Sequence, residues 1–83
     1  MSEENASKRE ALLARIVADE GIVGGRPRIR GTRMRVVDIV EMMADGATRA
    51  DILADFPYVQ NEDISAALLY AARSADRRVL NLA

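Results

Sequence analysis

The stretch VVDIVEMMADG, residues 36–46, decides the fold of this chain of 83 residues. Its apolar residues recur at intervals of three and four, which places them on one face of a helix. They are Val36, Ile39, Val40 and Met43. Gly46 is placed to end this helix, because glycine readily adopts the left-handed conformation that closes a helix. The stretch therefore predicts an amphipathic helix that ends at Gly46.

Two further helices are predicted after it. Thr48, with Asp51 three residues later, caps a short helix that Pro57 ends. A third helix begins near Gln60 or Asn61. Its apolar stripe is Ile64, Ala67, Leu68, Ala71 and Ala75. A glycine turn and a proline link between three helices are typical of a mainly α, three-helix bundle of the helix-turn-helix kind.

The residues before position 36 follow a different pattern. Residues 21–31 contain four of the five glycines, which excludes a helical interior and indicates a β-arm or hairpin. Short strands are expected at 22–23, 28–29 and 33–34. Upstream, Ser7 and Glu10 have the spacing of a capping box, and a helical stripe of apolar residues follows. An additional N-terminal helix is therefore expected over about residues 8–19.

Composition excludes several classes of activity. The chain has no cysteine and no histidine, which excludes disulfides, Cys/His zinc sites and catalysis by an imidazole base. Carboxylate pairs such as Glu62 and Asp63 are more typical of a solvated helix face than of a metal site. We therefore expect no enzyme activity, no metal and no cofactor. Without a signal-peptide pattern or a long apolar run, a cytoplasmic location with no membrane contact is expected.

The length corresponds to one domain, residues 1–83. We divide it into an N-terminal extension (1–20), a basic β-arm (21–35) and a three-helix bundle with a C-terminal tail (36–83). A chain this short buries only about 60% of its exposable surface on folding, so a homodimer is expected. The last helix offers a core side and a flanking side of small residues, which allows close approach to a second copy. The residues along it are Ala67, Leu68, Ala71 and Ala72.

Charge is unevenly distributed along the chain. Residues 26–35 contain five arginines and no acid, whereas residues 36–72 contain seven acids and one arginine. The five are Arg26, Arg28, Arg30, Arg33 and Arg35. Arginine favours bidentate contacts to phosphate or carboxylate, and alternate residues of an extended arm project to one side. The arm is therefore expected to bind the DNA backbone; the alternative is that it pairs with the acidic body of the same chain.

The start of the last helix is a second candidate for DNA contact. In a helix-turn-helix protein this segment reads base edges, and the amides of Gln60 and Asn61 suit adenine. Glu62 and Asp63 oppose docking there, because they are anions facing a polyanion. The arm is accordingly the better candidate of the two.

Three separated strings resemble one family. They are GGRPRIRGTRMRV (24–36), DGATRADILADFP (45–57) and EDISAALLYAA (62–72). Together they resemble the small prokaryotic domain-of-unknown-function family numbered 433, an antitoxin-like group. The resemblance implies a homeodomain-like three-helix fold preceded by a short β-arm. It also implies an antitoxin that binds and silences a PIN-like ribonuclease toxin and, with that toxin, represses their shared operon.

The tail is the expected toxin contact. A PIN-like site, as the resemblance implies, is a carboxylate cluster around a divalent metal, so an inhibitor needs a cation that enters it. The tail offers Arg73, Arg77 and Arg78, with Leu80 and Leu82 as apolar anchors. The alternative is a frayed terminus whose arginines remain in water. For the whole chain, the alternatives are a stand-alone DNA-binding regulator and a protein-binding module without DNA binding.

Overall fold

The fold is a helical bundle with a small β-hairpin. The computed structural model describes the backbone of residues 3–18 and 25–82 and the side chains of residues 4–18 and 25–76. These residues form helices α1 (Glu3–Leu13), α2 (Val36–Ala44), α3 (Arg49–Asp55) and α4 (Asn61–Leu82), with strands β1 (Ile16–Val17) and β2 (Arg28–Ile29). The two strands pair antiparallel between α1 and α2. The expected mainly helical bundle, with a hairpin and an additional helix before it, is confirmed.

The N-terminal helix differs from its prediction at both ends. It begins at Glu3 and ends at Leu13, and Ile16 then pairs with Ile29 across the hairpin. The expected continuation of the helix to residue 19 is wrong because Ile16 packs against the core as part of a strand. Helical spacing fitted this residue equally well, since a short apolar run suits either element.

The other two expected strands have different outcomes. Residues 33–34 form no strand, and the sheet contact just after them is an isolated bridge between Arg35 and Arg28. The backbone N–H of Ile29 instead donates to the Met34 carbonyl at 2.8 Å, which closes a tight loop. The expected strand at 22–23 lies outside the described residues.

The core lies where α2, α3 and α4 meet the hairpin. Ile39, Ile52 and Ile64, one from each helix, are its largest fully buried side chains. α4 packs against both α1 and α2, and it therefore connects the N-terminal extension to the bundle. Its apolar stripe is buried at Ile64 and Ala67, whereas Ala75 is exposed and lies beyond the core.

Two aspartates cap the helices that the sequence predicts most clearly. Asp51 accepts from the Thr48 backbone N–H at 2.9 Å, and this bond is the main reason that its pKa is lowered. At the start of α2, Asp38 accepts from the Arg35 guanidinium at 2.8 and 3.2 Å and from the Arg35 backbone N–H at 3.1 Å. The guanidinium hydrogen bonds are the main cause of the lowered pKa of Asp38.

These caps predict a loss of stability in acid. A carboxyl group whose pKa is lower in the folded than in the unfolded chain stabilises the fold above its unfolded pKa, and this stabilisation disappears as pH falls through the folded value. We expect the thermal midpoint of the wild type to fall steeply below about pH 4. The Asp38→Asn, Asp51→Asn variant should be less stable at neutral pH and should show a shallower acid dependence by circular dichroism. If the thermal midpoints of the two proteins fell in parallel with pH, Asp38 and Asp51 would not be the source of the acid sensitivity.

Candidate functional site

A tight turn over residues 30–33 directly follows β2 and carries part of the basic arm; we call it the hairpin turn. Gly31 has φ of +80°, a left-handed conformation that favours glycine and reverses the chain after Arg30. The Thr32 hydroxyl then donates to the Ile29 carbonyl at 2.9 Å and accepts from the Met34 backbone N–H at 3.0 Å. The turn is therefore fixed by its own hydrogen bonds, so the side chains that it presents have a defined position.

Three of the five arm arginines face solvent. Arg26, Arg30 and Arg33 are exposed, and their side chains make no hydrogen bond or ion pair within the part of the chain that the structure describes. The segment that contains them has no acid, so their charges are not balanced locally. They form the set that we call the hairpin arginines.

The other two arm arginines are used inside the chain. Arg28 is only 8% exposed, and its Nη1 donates to the Thr32 carbonyl at 3.2 Å, within the turn. Arg35 pairs with Asp38, which agrees at this position with the alternative that the arm pairs with the acidic body. The expectation that Arg28 projects beside its alternate neighbours is wrong, because β2 lasts only two residues and the chain turns directly after it. Arg28 therefore closes the turn, and Arg35 caps the start of α2.

Arginines from elsewhere in the chain donate hydrogen bonds to the side chains at the start of α4. Gln60 Oε1 accepts from Arg15 Nη1 at 2.9 Å, and Asn61 Oδ1 accepts from Arg49 Nη1 at 2.8 Å. Reading an adenine edge needs both the oxygen and the nitrogen of an amide. In this structure, the amide oxygens of both candidate base-reading residues are already engaged.

Asp63 is the residue that joins the N-terminal region to α4. Its Oδ2 accepts from the Gln60 backbone N–H at 2.8 Å, which caps the helix, and its Oδ1 accepts from Arg15 Nη1 at 3.0 Å. We call this the Arg15–Asp63 interlock. Sequence reasoning did not predict it. Asp63 lies three residues after Gln60, which is a capping signal, but nothing local to Arg15 indicates its distant partner.

A cleft of about 720 Å³ lies between α1, the hairpin turn and the start of α4. Lys8 and Arg30 line it together with Glu62, so the cleft presents both signs of charge. Tyr58 adds an exposed ring that stacks edge to face on Phe56 at 6.2 Å between ring centroids. Arg30 and Gln60 both line this cleft together with the acids Glu62 and Asp63, so the two candidate DNA contacts share a surface of mixed charge.

The tail continues as a helix. α4 runs without interruption past Ala72 to Leu82, as a helical toxin-binding segment requires. Arg73 is exposed and lines a shallow groove with Arg9 and Asp76. The side chains of the remaining expected toxin contacts lie outside the described residues. These are Arg77, Arg78, Leu80 and Leu82.

Neither a metal-binding cluster nor a membrane-spanning helix is found among the described residues. Where side chains are described, no three acidic, histidine or cysteine groups come together in a way that could hold a metal ion. Of the four helices, none combines the length and apolar character needed to cross a membrane within its described part.

Comparison with known proteins identifies the family. The family model described as "Protein of unknown function (DUF433)" matches residues 16–71. A crystal structure of a DUF433 member protein from Anabaena variabilis ATCC 29413 superposes with a TM-score of 0.72 at 30% sequence identity, covering 93% of this chain and 80% of that chain. No curated protein matches this chain. The match over most of the sequence, and the shared fold at that level of identity, place this chain in the DUF433 family.

Proposed function

We propose that this chain is an antitoxin that neutralises a PIN-like ribonuclease toxin and binds the operator DNA of their operon through the hairpin arginines. The observation that supports the DNA contact is the exposure of Arg26, Arg30 and Arg33 without a side-chain partner among the described residues. Exposed arginines without a side-chain partner can bind phosphates without first breaking an internal ion pair. The toxin part of the proposal rests on the family resemblance of the sequence strings and on the basic helical tail.

The rigidity of the hairpin supports this assignment. Arg28 ties the turn from inside, and Arg35 ties the end of the arm to α2. Exposed side chains on a fixed turn lose less backbone entropy on binding than the same side chains on a free segment. The internal arginines thus support DNA binding indirectly, by positioning the three that face solvent.

The negative charge at the start of α4 favours the hairpin arginines, rather than a standard recognition helix, as the DNA contact. Glu62 is exposed there, and the amide oxygens of Gln60 and Asn61 accept from arginines of the same chain. Binding of bases by this segment would require those hydrogen bonds to be exchanged and an anion to approach the phosphates. The proposal therefore assigns phosphate contacts to the hairpin and no base contact to α4.

A salt titration tests the DNA contact. The variant Arg26→Gln, Arg30→Gln, Arg33→Gln should bind a fragment of its own promoter more weakly. The slope of log affinity against log salt should flatten by about 0.9 for each phosphate that the variant no longer neutralises. The change removes three charges from exposed positions, so the helical circular dichroism signal should stay unchanged.

The matched control removes the same charge from other exposed positions. Lys8→Gln, Arg9→Gln, Arg73→Gln alters three exposed cations on α1 and α4 and should keep most of the salt slope. If both triple variants flatten the slope equally, binding depends on net charge alone. If neither does, the hairpin is not the DNA contact, and the protein-binding module becomes the better description of this chain.

A further inference from the structure

The cleft between α1, the hairpin turn and the start of α4 is a polar cavity with two unlike sides. Its volume of about 720 Å³ is typical of small-molecule sites, which measure roughly 300–1,000 Å³. Lys8 of α1 and Arg30 of the hairpin turn supply cations, whereas Tyr58 and Glu62 come from the segment around the start of α4. One side of the cleft therefore suits an anion, and the other offers an acid and an aromatic ring.

The Arg15–Asp63 interlock joins the two sides of this cleft. Both residues line it, and their ion pair of 3.0 Å balances their charges against each other. The other charged side chains in the lining are two cations and one acid. Because the interlock fixes the sides before a ligand enters, binding costs less conformational entropy than it would on a loose segment.

Lys8, Arg30 and Glu62 are the charged side chains available to a ligand. All three are exposed, and they make no side-chain hydrogen bond or ion pair with the residues that the structure describes. A lysine together with an arginine suits a phosphate monoester, which carries a charge of about −1.5 to −2 at neutral pH. Glu62 instead suits neutral hydroxyl donors, and it repels any further phosphate. The charges therefore favour a ligand with one phosphate over a chain of phosphates.

Tyr58 is the feature that favours a nucleotide over a smaller anion. Its side chain is 56% exposed, and its ring packs edge to face against Phe56. Every nucleobase has a flat face that can stack on such a ring, whichever base it is. Inorganic phosphate or a small zwitterion would satisfy the charges of the cleft but would leave this ring in water.

We propose that this cleft binds a free nucleoside monophosphate. Its base stacks on Tyr58, its phosphate binds Lys8 and Arg30, and its ribose hydroxyls donate to Glu62. This site goes beyond the proposed antitoxin function, because its ligand is a mononucleotide and not operator DNA. The site and the proposed DNA contact share Arg30 alone, since Arg26 and Arg33 do not line the cleft.

Calorimetric titration of the full chain with adenosine 5′-monophosphate (AMP), without DNA, tests this site. AMP should bind at least about 10-fold more tightly than adenosine or ribose 5-phosphate, because each of these lacks one of the two recognised groups. Lys8→Gln, Arg30→Gln should weaken AMP binding by more than about 10-fold. The matched control Arg26→Gln, Arg33→Gln removes the same charge from exposed positions outside the cleft, so its AMP affinity should equal that of the wild type.

A third variant tests the base contact. Tyr58→Ala should weaken AMP binding by about 10-fold and leave the affinity for ribose 5-phosphate unchanged, because only the base stacks on the ring. Circular dichroism checks that each variant keeps its helices. A wild type that does not bind AMP, or equal weakening by the two double variants, would overturn the proposal. Tighter binding of a single-stranded deoxyadenosine trinucleotide would overturn it as well, since the cleft would then follow a nucleic-acid strand.

The outcomes for this site and for the proposed DNA contact can be told apart. Lys8 should matter for AMP and not for the promoter, whereas Arg26 and Arg33 should matter for the promoter and not for AMP. Failure of AMP binding therefore leaves the proposed function standing, and a failed salt titration leaves the nucleotide site standing.

Discussion

Replacing Asp63 with alanine is expected to lower the free energy of unfolding by about 3 kcal/mol. The carboxylate is 5% exposed and accepts one hydrogen bond from the Gln60 backbone and one from Arg15. Its removal leaves the first turn of α4 without its cap and the Arg15 guanidinium without an ionic partner. Urea unfolding followed by circular dichroism measures the change, with an unaltered m-value as evidence that the folded state stays compact.

Two further variants separate the cap from the ion pair. Glu62→Ala is the matched control, because this neighbouring acid is exposed, and its cost should be within about 0.5 kcal/mol. Arg15→Ala removes the ion pair but leaves the cap, so it should cost less than Asp63→Ala. A double variant that costs the sum of the two single changes would show that Arg15 and Asp63 do not interact.

Removing residues 77–83 is expected to abolish neutralisation of the toxin in a growth-rescue assay. This segment contains Arg77 and Arg78 and the apolar pair Leu80 and Leu82. A guanidinium stays charged when it leaves water and binds a carboxylate with two parallel hydrogen bonds, as inhibition of an acidic metal site requires. The core residues all precede this segment, so the truncated protein should unfold cooperatively and keep its promoter affinity.

Point variants identify which part of the tail acts. Arg77→Gln, Arg78→Gln tests the cations, and Leu80→Ser, Leu82→Ser tests the apolar anchors. Lys8→Gln is the control, since it removes an exposed cation from α1 outside the groove that Arg73 lines, and it should leave rescue intact. If the truncated protein still rescued growth, the toxin contact would lie elsewhere, and the hairpin arginines would be the next candidates.

The helices of the bundle could be predicted because their signals are local. Gly46, with φ of +103°, ends α2 where the sequence placed the stop. Thr48 and Asp51 form the reciprocal cap that their spacing indicates. Such signals lie within a few residues of the boundary that they set, so they can be read without knowledge of the tertiary structure.

The N-terminal third could not be predicted to the same extent. Ile16 fits a helical stripe by spacing, and only its pairing with Ile29 makes it a strand residue. Arg28 likewise has the sequence character of an exposed arm residue, but its place in the hairpin buries it. In both cases the deciding contact is made with a residue outside the local pattern, and hydrophobic periodicity does not contain that information.

The candidate site also has features that local sequence shows and features that depend on the tertiary structure. The basic character of the arm was evident from the sequence, and three of its five arginines are exposed as expected. Charge segregation alone did not separate these three from Arg28 and Arg35, because that separation depends on the turn at Gly31 and on the Asp38 cap. Composition therefore indicated a basic segment, and the fold determines which of its arginines are exposed.

The separation of 48 residues between Arg15 and Asp63 has a consequence for synthesis of the chain on the ribosome. At ordinary rates of translation, Asp63 is added about 2 to 10 s after Arg15, and it must still pass through the exit tunnel. During this interval the N-terminal region lacks the carboxylate that fixes it to α4. Its arginine is then free to meet other acidic groups, so the order of synthesis delays this interlock until the start of α4 has been made.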